Sequence, residues 1–75
     1  MNKVIISVLG QDRPGILAAV TKILLNRDGN VENVSQTILQ NQFAGIFIVS
    51  VPSHIKISAL KDELNQSVNH LDIVM

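Results

Sequence analysis

The 75-residue sequence predicts an α+β fold in which two helices cover one face of a four-stranded antiparallel sheet. Two observations lead to this prediction. Runs of β-branched and apolar residues alternate with two stretches of helical periodicity, in the order β-α-β-β-α-β. Hydrophobic residues make up 47% of the chain, which is ample for one core, yet only Phe43 and Phe47 are aromatic. Aliphatic side chains must therefore fill most of that core.

The first strand is predicted over residues 3–9, where β-branched side chains dominate. Apolar residues occupy nearly every position, which is typical of a central strand covered on both faces. A break at residues 10–14 follows, and from Gly15 the apolar residues recur at helical intervals. These residues are Ile16, Ala19, Val20, Ile23 and Leu24.

The residues around this first helix suggest how it begins and ends. Pro14 fits the first turn, because an N–H group there needs no acceptor within the helix. Asp12 or Arg13 would be the capping residue, and Asp12 is chemically the better cap. At the other end, Gly29 is expected to stop the helix by adopting a positive φ.

Two β-patterned runs, at residues 31–40 and 43–51, follow the helix. The apolar residues of the first run do not keep one parity, which predicts a bulge or a strong twist near Asn33. Asn41 and Gln42 are predicted to form a two-residue hairpin turn, because Asn tolerates positive φ. The second run is apolar at both parities, so it is predicted to be another central strand.

A second amphipathic helix is predicted after the hairpin, with Ser58 as its start signal. Its apolar stripe consists of Ile57, Leu60, Leu64, Val68 and Leu71. Residues 71–75 are expected to begin a fourth strand that is cut short.

This order of elements predicts the ferredoxin-like arrangement, with strands 1 and 3 central and both helices on one face of the sheet. Ile5, Leu9, Ile46 and Ile48 cannot then all lie under helices. A contiguous exposed apolar patch usually marks an interaction surface. The chain is therefore expected to form a homodimer or a larger homo-oligomer.

Composition and charge argue against several classes of function. Six basic and six acidic residues cancel, and the basic residues are spread along the chain rather than clustered, so no direct nucleic-acid partner is expected. No apolar run approaches the roughly 20 residues of a membrane span, and the N-terminus lacks the pattern of a signal peptide. The absence of cysteine excludes disulfides and thiolate metal sites and is compatible with the cytoplasmic location that we expect.

The catalytic inventory is small. The serines have no neighbouring motif that would activate one of them, and His54 and His70 are expected to be ordinary surface residues. We therefore expect no catalytic residue, no metal and no cofactor. The same fold also supports a small enzyme, acylphosphatase, whose phosphate-binding loop is imitated only in part by Gly10, Arg13 and Gly15.

The stretch LGQDRPGIL, residues 9–17, is the best candidate for a binding site. A strand-to-helix turn presents unpaired N–H groups at the positive end of a helix dipole. Arg13 offers a fork for a carboxylate, Asp12 can meet an ammonium, and Gly15 allows close approach. This combination suits a zwitterionic amino acid, but the same residues could equally serve only to shape and cap the turn.

LGQDRPGILAAVTKIL followed by NVENVSQTI resembles the ACT domain family. The similarity is to its small free-standing members and to the domains of the glycine-cleavage-system repressor. The D-R-P-G-I element at residues 12–16 is the most specific part, and Gly29-Asn30-Val31 and SQTI at residues 35–38 support it. The resemblance implies one βαββαβ domain over residues 1–75 that pairs through its sheet. Free-standing relatives usually continue past strand 4 into a further helix, whereas this sequence stops at Met75.

The resemblance also implies a non-enzymatic regulatory domain that binds a small ligand, commonly an amino acid, and acts through a dimer interface. The ligand would lie between the loop after strand 1 and the start of strand 2. The residues implied as contacts are Gln11, Asp12, Arg13, Gly15, Ile16 and Asn30. Asn30 would come from the facing subunit or strand, where its amide can both donate and accept. Two alternatives remain: an oligomerisation or protein-interaction module without a ligand, and an acylphosphatase-like hydrolase.

Overall fold

The computed structural model describes all 75 residues and contains four strands and two helices in the predicted order. Their bounds are β1 Asn2–Gln11, α1 Ile16–Asn26, β2 Asn30–Leu39, β3 Gln42–Val51, α2 Ile57–Ser67 and β4 Leu71–Val74. Neither helix is long and apolar enough to cross a membrane.

The four strands form one antiparallel sheet in the order β2-β3-β1-β4. The predicted ferredoxin-like fold, with β1 and β3 in the centre, is therefore confirmed. The long β1–β3 ladder runs from Asn2 opposite Val51 to Gln11 opposite Gln42. Both helices pack on the same face of the sheet. Every second side chain of β1 and β3 points to this face, and these buried side chains form one core with the apolar stripes of α1 and α2.

The core consists of 15 buried side chains, all of them hydrophobic. Phe47 is the largest of the fully buried side chains, and Ile6 and Val8 of β1 are fully buried as well. Leu24 of α1 and the apolar stripe of α2, which includes Leu60 and Leu64, form the helical side of the core. The sequence periodicity predicted these faces because only one parity of each central strand lies beneath the helices.

The predicted irregularity of β2 is present. The register of β2 against β3 shifts between Val31 and Asn33, which is a β-bulge at Glu32. The extra residue lets Val31 and Val34 both pack against the core although their spacing breaks the alternation. The prediction of a bulge near Asn33 is confirmed.

The β2–β3 hairpin turn lies one residue earlier than predicted. Gln40 and Asn41 have φ values of 49° and 65°, whereas Gln42 is already the first residue of β3. Two consecutive residues with positive φ are typical of a type I′ turn, whose twist matches that of the strands it joins. The predicted turn at Asn41 and Gln42 is therefore wrong by one position, since the ladder extends to Leu39 opposite Gln42.

The start of α1 also differs from the prediction. The helix begins at Ile16, and the residue before it, Gly15, has the left-handed conformation with φ 84° and ψ 8°. No side chain caps the helix, so the prediction that Asp12 is the cap is wrong. Pro14 precedes the left-handed residue rather than entering the first turn.

The end of α1 is closed by backbone hydrogen bonds. The Asp28 N–H donates to the Leu25 carbonyl at 3.0 Å, and the Gly29 N–H donates to the Leu24 carbonyl at 2.8 Å. This pair of bonds forms a Schellman motif, in which the residue with positive φ is Asp28 (φ 60°) and not Gly29 as predicted. Gly29 is required for another reason, because a Cβ there would lie 2.8 Å from the Leu24 carbonyl oxygen.

The start of α2 corrects one smaller prediction. The helix begins at Ile57 after Lys56, and no side chain caps it, so Ser58 lies inside the first turn instead of marking the start. The apolar stripe is as predicted, with Leu60 and Leu64 fully buried.

Candidate functional site

The loop between β1 and α1, residues 12–15, is held against the β2–β3 hairpin. Gln11 is the last residue of β1 and lies opposite Gln42. The next residue, Asp12, donates its backbone N–H to the Asn41 carbonyl at 2.8 Å. The loop is thereby fixed at one end of the sheet before the chain turns into the helix.

The N-terminus of α1 is open. It has no capping side chain and no acidic residue in its first turn, so the first amides of the helix have no partner within the chain. A Cβ placed on Gly15 would meet no atom within 4 Å. Open space therefore lies beside Gly15 at the start of the helix, where the helix dipole would favour a small anionic group.

The two charges of this loop take part in no ion pair within the chain. Asp12 is half-buried and Arg13 is exposed. The two ion pairs of the structure lie elsewhere, between Lys3 and Glu32 at 3.5 Å and between Arg27 and Glu63 at 2.8 Å. An acid and a base thus stand side by side at an open helix N-terminus with neither neutralised by the fold.

Asn30 lies at the opposite end of the sheet. It is the first residue of β2 and pairs with Ser50, which in turn pairs with Lys3. Lys3 and Gln11 are eight residues apart on β1, so about 26 Å separates the Asn30 end from the loop end. Within one chain the structure brings Gln11 and the loop together, but it does not bring Asn30 to them.

Ile16 follows the loop but does not present its side chain there. That side chain is 4% exposed and belongs to the core. What Ile16 can offer to a ligand is its backbone N–H at the start of the helix.

One of the two histidines departs from expectation. His54 is exposed, as predicted, but His70 is half-buried and its Nε2 atom is buried without a hydrogen-bond partner. The turn before β4 lies tightly against β1, since a Cβ on Gly10 would approach the His70 carbonyl oxygen to 3.1 Å. The prediction that both are ordinary surface residues is therefore wrong for His70.

The sheet face that carries no helix, called here the open face, is markedly apolar. Ile5 is 57% exposed, Leu9 49% and Ile46 50%. Each lies on the parity of β1 or β3 that points away from the helices. The expectation that the apolar residues of the central strands are not all covered is confirmed for these three, whereas Ile48 on the same face is half-buried.

A hollow of about 360 Å³ lies in the middle of the open face. Its lining comprises Ser7, Leu9, Ser35, Gln36, Thr37, Ala44, Gly45 and Ile46. It forms where the small Ala44 side chain lies between Thr37 and Leu9 in the ladder. Sequence reasoning missed this hollow, although a single alanine among the isoleucines of β3 was a visible signal.

The βαββαβ order and the single antiparallel sheet define a ferredoxin-like domain. Residues 2–75 match the family model of the ACT domain, so the chain belongs to the ACT domain family. It is 38% identical over 74 residues to a UPF0237 protein of Methanocaldococcus jannaschii, covering 97% of this chain and 82% of that protein.

Solved structures agree with this membership. The chain superposes on an ACT domain protein from Streptococcus pneumoniae with a TM-score of 0.77 and 30% identity, covering 96% of this chain and 86% of that one. It also matches a candidate glycine cleavage system transcriptional repressor with a TM-score of 0.79 and 21% identity. That likeness covers 96% of this chain but only 43% of the repressor, and it concerns the fold alone.

Proposed function

We propose that the chain is a non-enzymatic regulatory domain that binds an amino acid at the loop between β1 and α1. The observation that carries the proposal is the uncapped N-terminus of α1 flanked by two charges without ion-pair partners, Asp12 and Arg13. Membership of the ACT domain family supports a regulatory rather than a catalytic role.

The loop offers a complementary group to each end of a zwitterion. The amides that begin α1 and the guanidinium of Arg13 can donate to a carboxylate. The carboxylate of Asp12 can accept from an ammonium. Gly15 leaves the approach clear, because its missing Cβ faces open space. A neutral or purely cationic ligand would leave Arg13 and the helix amides without an acceptor.

Regulation requires that the ligand favours one arrangement of the protein over another. A single domain with one rigid core offers no second arrangement, whereas two copies can change their relative placement. We therefore propose that the ligand acts at a homodimer, in which Asn30 of the second copy completes the site. A second copy is needed because, within one chain, strand geometry separates Asn30 from the loop by about 26 Å.

The proposal is tested by isothermal titration of the purified chain against the twenty amino acids. We expect saturable heat with at least one of them, and the same titration on Arg13→Gln should show affinity reduced roughly ten-fold or more. Lys22→Gln is the matched control, because Lys22 is an exposed cation on the same helix but distant from its N-terminus. Equal loss in both variants would contradict a role for Arg13.

Two other functions make different predictions. A pure oligomerisation module predicts no saturable heat with any amino acid while the dimer persists. An acylphosphatase-like hydrolase predicts turnover of an acyl phosphate that Arg13→Gln abolishes. We expect no such turnover, because Gly10, Arg13 and Gly15 reproduce the phosphate-binding loop of that enzyme only in part.

A further inference from the structure

The turn that joins α2 to β4, residues 68–70, lies tightly against the end of β1. The Leu71 N–H donates to the Val68 carbonyl at 3.0 Å, and Leu71 begins β4 opposite Gly10. A Cβ on Gly10 would lie 2.6 Å from Leu71 Cδ2 and 3.1 Å from the His70 carbonyl oxygen. The backbone of this turn therefore contacts the strand that leads directly into the β1–α1 loop.

The side chain in this turn that can change its charge near neutral pH is His70. Its Nε2 atom is buried and has no hydrogen-bond partner. A neutral imidazole can leave a lone pair at Nε2 when Nδ1 carries the proton, whereas a protonated imidazole has an N–H at both nitrogens. A buried N–H without an acceptor costs free energy. The buried position of His70 therefore suits the neutral ring and disfavours the charged one.

The two elements that flank the turn offer no free counter-charge to an imidazolium in this position. Residues 64–67, which end α2, and residues 9–11, which end β1, are all uncharged. Glu63, one position earlier on α2, is already paired with Arg27 at 2.8 Å. A proton on His70 would therefore place a charge beside neutral groups.

The other charges near the turn lie on β4 and in the β1–α1 loop. Asp72 belongs to β4, and Asp12 and Arg13 follow the end of β1. Neither carboxylate forms an ion pair with His70, and Arg13 carries the same charge as an imidazolium. An imidazolium would gain the attraction of the two carboxylates only by leaving its buried position, so these groups favour the released ring.

We propose that His70 makes the contact between the α2–β4 turn and β1 sensitive to pH. The neutral imidazole keeps the turn packed against Gly10. When the ring takes up a proton it leaves its buried position, and the turn and β4 loosen from β1. This contact is easily lost, because β4 pairs with β1 only over Ser7–Gly10.

The proton would also affect the proposed ligand site. Gly10 lies two residues before Asp12, so a change at the end of β1 reaches the loop that is proposed to hold the ligand. We expect the affinity for an amino acid to fall at low pH. This consequence rests on the proposed function, whereas the pH dependence of the fold does not.

The direction of the effect follows from the protons that each state binds. The folded chain binds fewer protons at His70 than the unfolded chain, so stability is complete at high pH and is lost as the pH falls. An imidazole in an unfolded chain is mostly neutral at about pH 7.5 and mostly charged at about pH 5.5. If the folded chain took up no proton at His70, the ratio of folded to unfolded chain would fall roughly ten-fold over this interval.

Urea unfolding at about pH 7.5 and about pH 5.5, at one fixed protomer concentration, tests the proposal. Wild type is compared with His70→Gln, because glutamine has no charged form. His54→Gln is the matched control, since His54 is exposed. Between the two pH values, wild type and His54→Gln should each lose at least roughly three-fold more of the folded-to-unfolded ratio than His70→Gln. If His70→Gln does not fold, His70→Phe replaces it.

Hydrogen exchange shows where the chain loosens. Amide exchange rates, each divided by the intrinsic rate at the same pH, should rise at least roughly three-fold at about pH 5.5 in the β1–β4 ladder of wild type. The β2–β3 ladder should keep its protection. In His70→Gln both ladders should exchange alike at the two pH values.

Equal pH dependence of wild type and His70→Gln, or an equal rise in both ladders, would overturn the proposal. None of these measurements uses a ligand, so such a result would leave the proposed function standing. Titration with the twenty amino acids at both pH values then tests the link to the site. No binding at either pH would refute the proposed function alone, whereas equal affinity of wild type at both pH values would refute the link.

Discussion

Replacing Gly15 separates backbone strain from steric overlap more cleanly than any other change in this chain. Its φ of 84° lies in the left-handed region, yet a Cβ there would touch nothing. An L residue in that region costs about 1–2 kcal/mol. The lower entropy of the unfolded alanine chain returns roughly 0.4–1 kcal/mol. Gly15→Ala should therefore destabilise the fold by about 1 kcal/mol through the backbone alone.

Two comparisons give this magnitude its meaning. Gly15→Asn should lose less than Gly15→Ala, because Asn visits the left-handed region far more readily than other residues. Gly29→Ala should lose more, about 1–3 kcal/mol, although Gly29 has no left-handed φ. There the added Cβ would lie 2.8 Å from the Leu24 carbonyl oxygen and 3.3 Å from Val49 Cγ1.

Urea unfolding at one fixed protomer concentration measures these losses, because the stability of the proposed dimer would depend on concentration. A loss of 1 kcal/mol should also lower Tm by about 4–8 °C in a domain of this size. The slope of the unfolding free energy against urea should stay constant. If Gly15→Ala were as stable as wild type, or if Asn were no better than Ala at this position, the left-handed start of α1 would be wrong.

The remaining predictions concern assembly, the ligand and the β1–β4 contact. Light scattering at micromolar concentration should give the mass of a dimer, and a monomeric mass would contradict the expected assembly. Asn30→Asp should weaken the binding of an amino-acid ligand by roughly 1–3 kcal/mol, because an ionised carboxylate cannot donate to the ligand. The rise in Tm on adding the ligand should therefore be smaller in the variant than in the wild type. Stability without ligand should stay within about 1 kcal/mol, and equal ligand shifts in both proteins would remove Asn30 from the site. Gly10→Ala should destabilise the fold by about 1–3 kcal/mol in urea, since its Cβ would lie 2.6 Å from Leu71 Cδ2; unchanged stability would show that β4 can move away.

The arrangement of strands and helices followed from periodicity in the sequence. β1 and β3 are apolar at both parities, which predicted that they are central. The broken alternation of β2 predicted a bulge near Asn33, and the structure has it at Glu32. These features depend on which residues are buried together, and burial leaves a periodic record along the chain. The open face was predictable for the same reason. Helices cover only one face of the sheet, so the alternate residues of β1 that include Ile5 are left without a cover.

The turns were harder to predict, because single residues decide them. Asp28 takes the positive φ that was expected of Gly29, and Gln40 takes one in the hairpin where the sequence suggested Asn41 and Gln42. In both places the hydrogen bonds of the flanking elements select which residue is left-handed, and Gln40 takes that conformation although it has none of the special preference that Asn and Asp have for it. Local preference alone does not contain this information.

The sequence predicted which residues belong to the candidate site, but it did not predict which of them lie close together within one chain. Gln11 to Gly15 are contiguous, so their proximity required no knowledge of the fold. Asn30 is separated from them by α1, whose 11 residues carry the chain back along the whole sheet. β1 and β2 are both antiparallel to β3 and are therefore parallel to each other, so α1 returns the chain to the end of the sheet where β1 begins, and Asn30 starts β2 at the end opposite to the loop.

That geometry has a thermodynamic consequence for the proposed dimer. If each ligand contacts the loop of one copy and Asn30 of the other, then binding and association share free energy. Every factor by which the ligand tightens the dimer must equal the factor by which the dimer tightens the ligand. The apolar side chains of the open face, Ile5, Leu9 and Ile46, would hold the two copies together without a ligand, and the ligand would change the contacts at the polar ends of the sheet, near Lys3 and Gln11. A face built only for stability would need no asymmetry between its centre and its ends, whereas a sensing domain requires part of its interface to remain responsive.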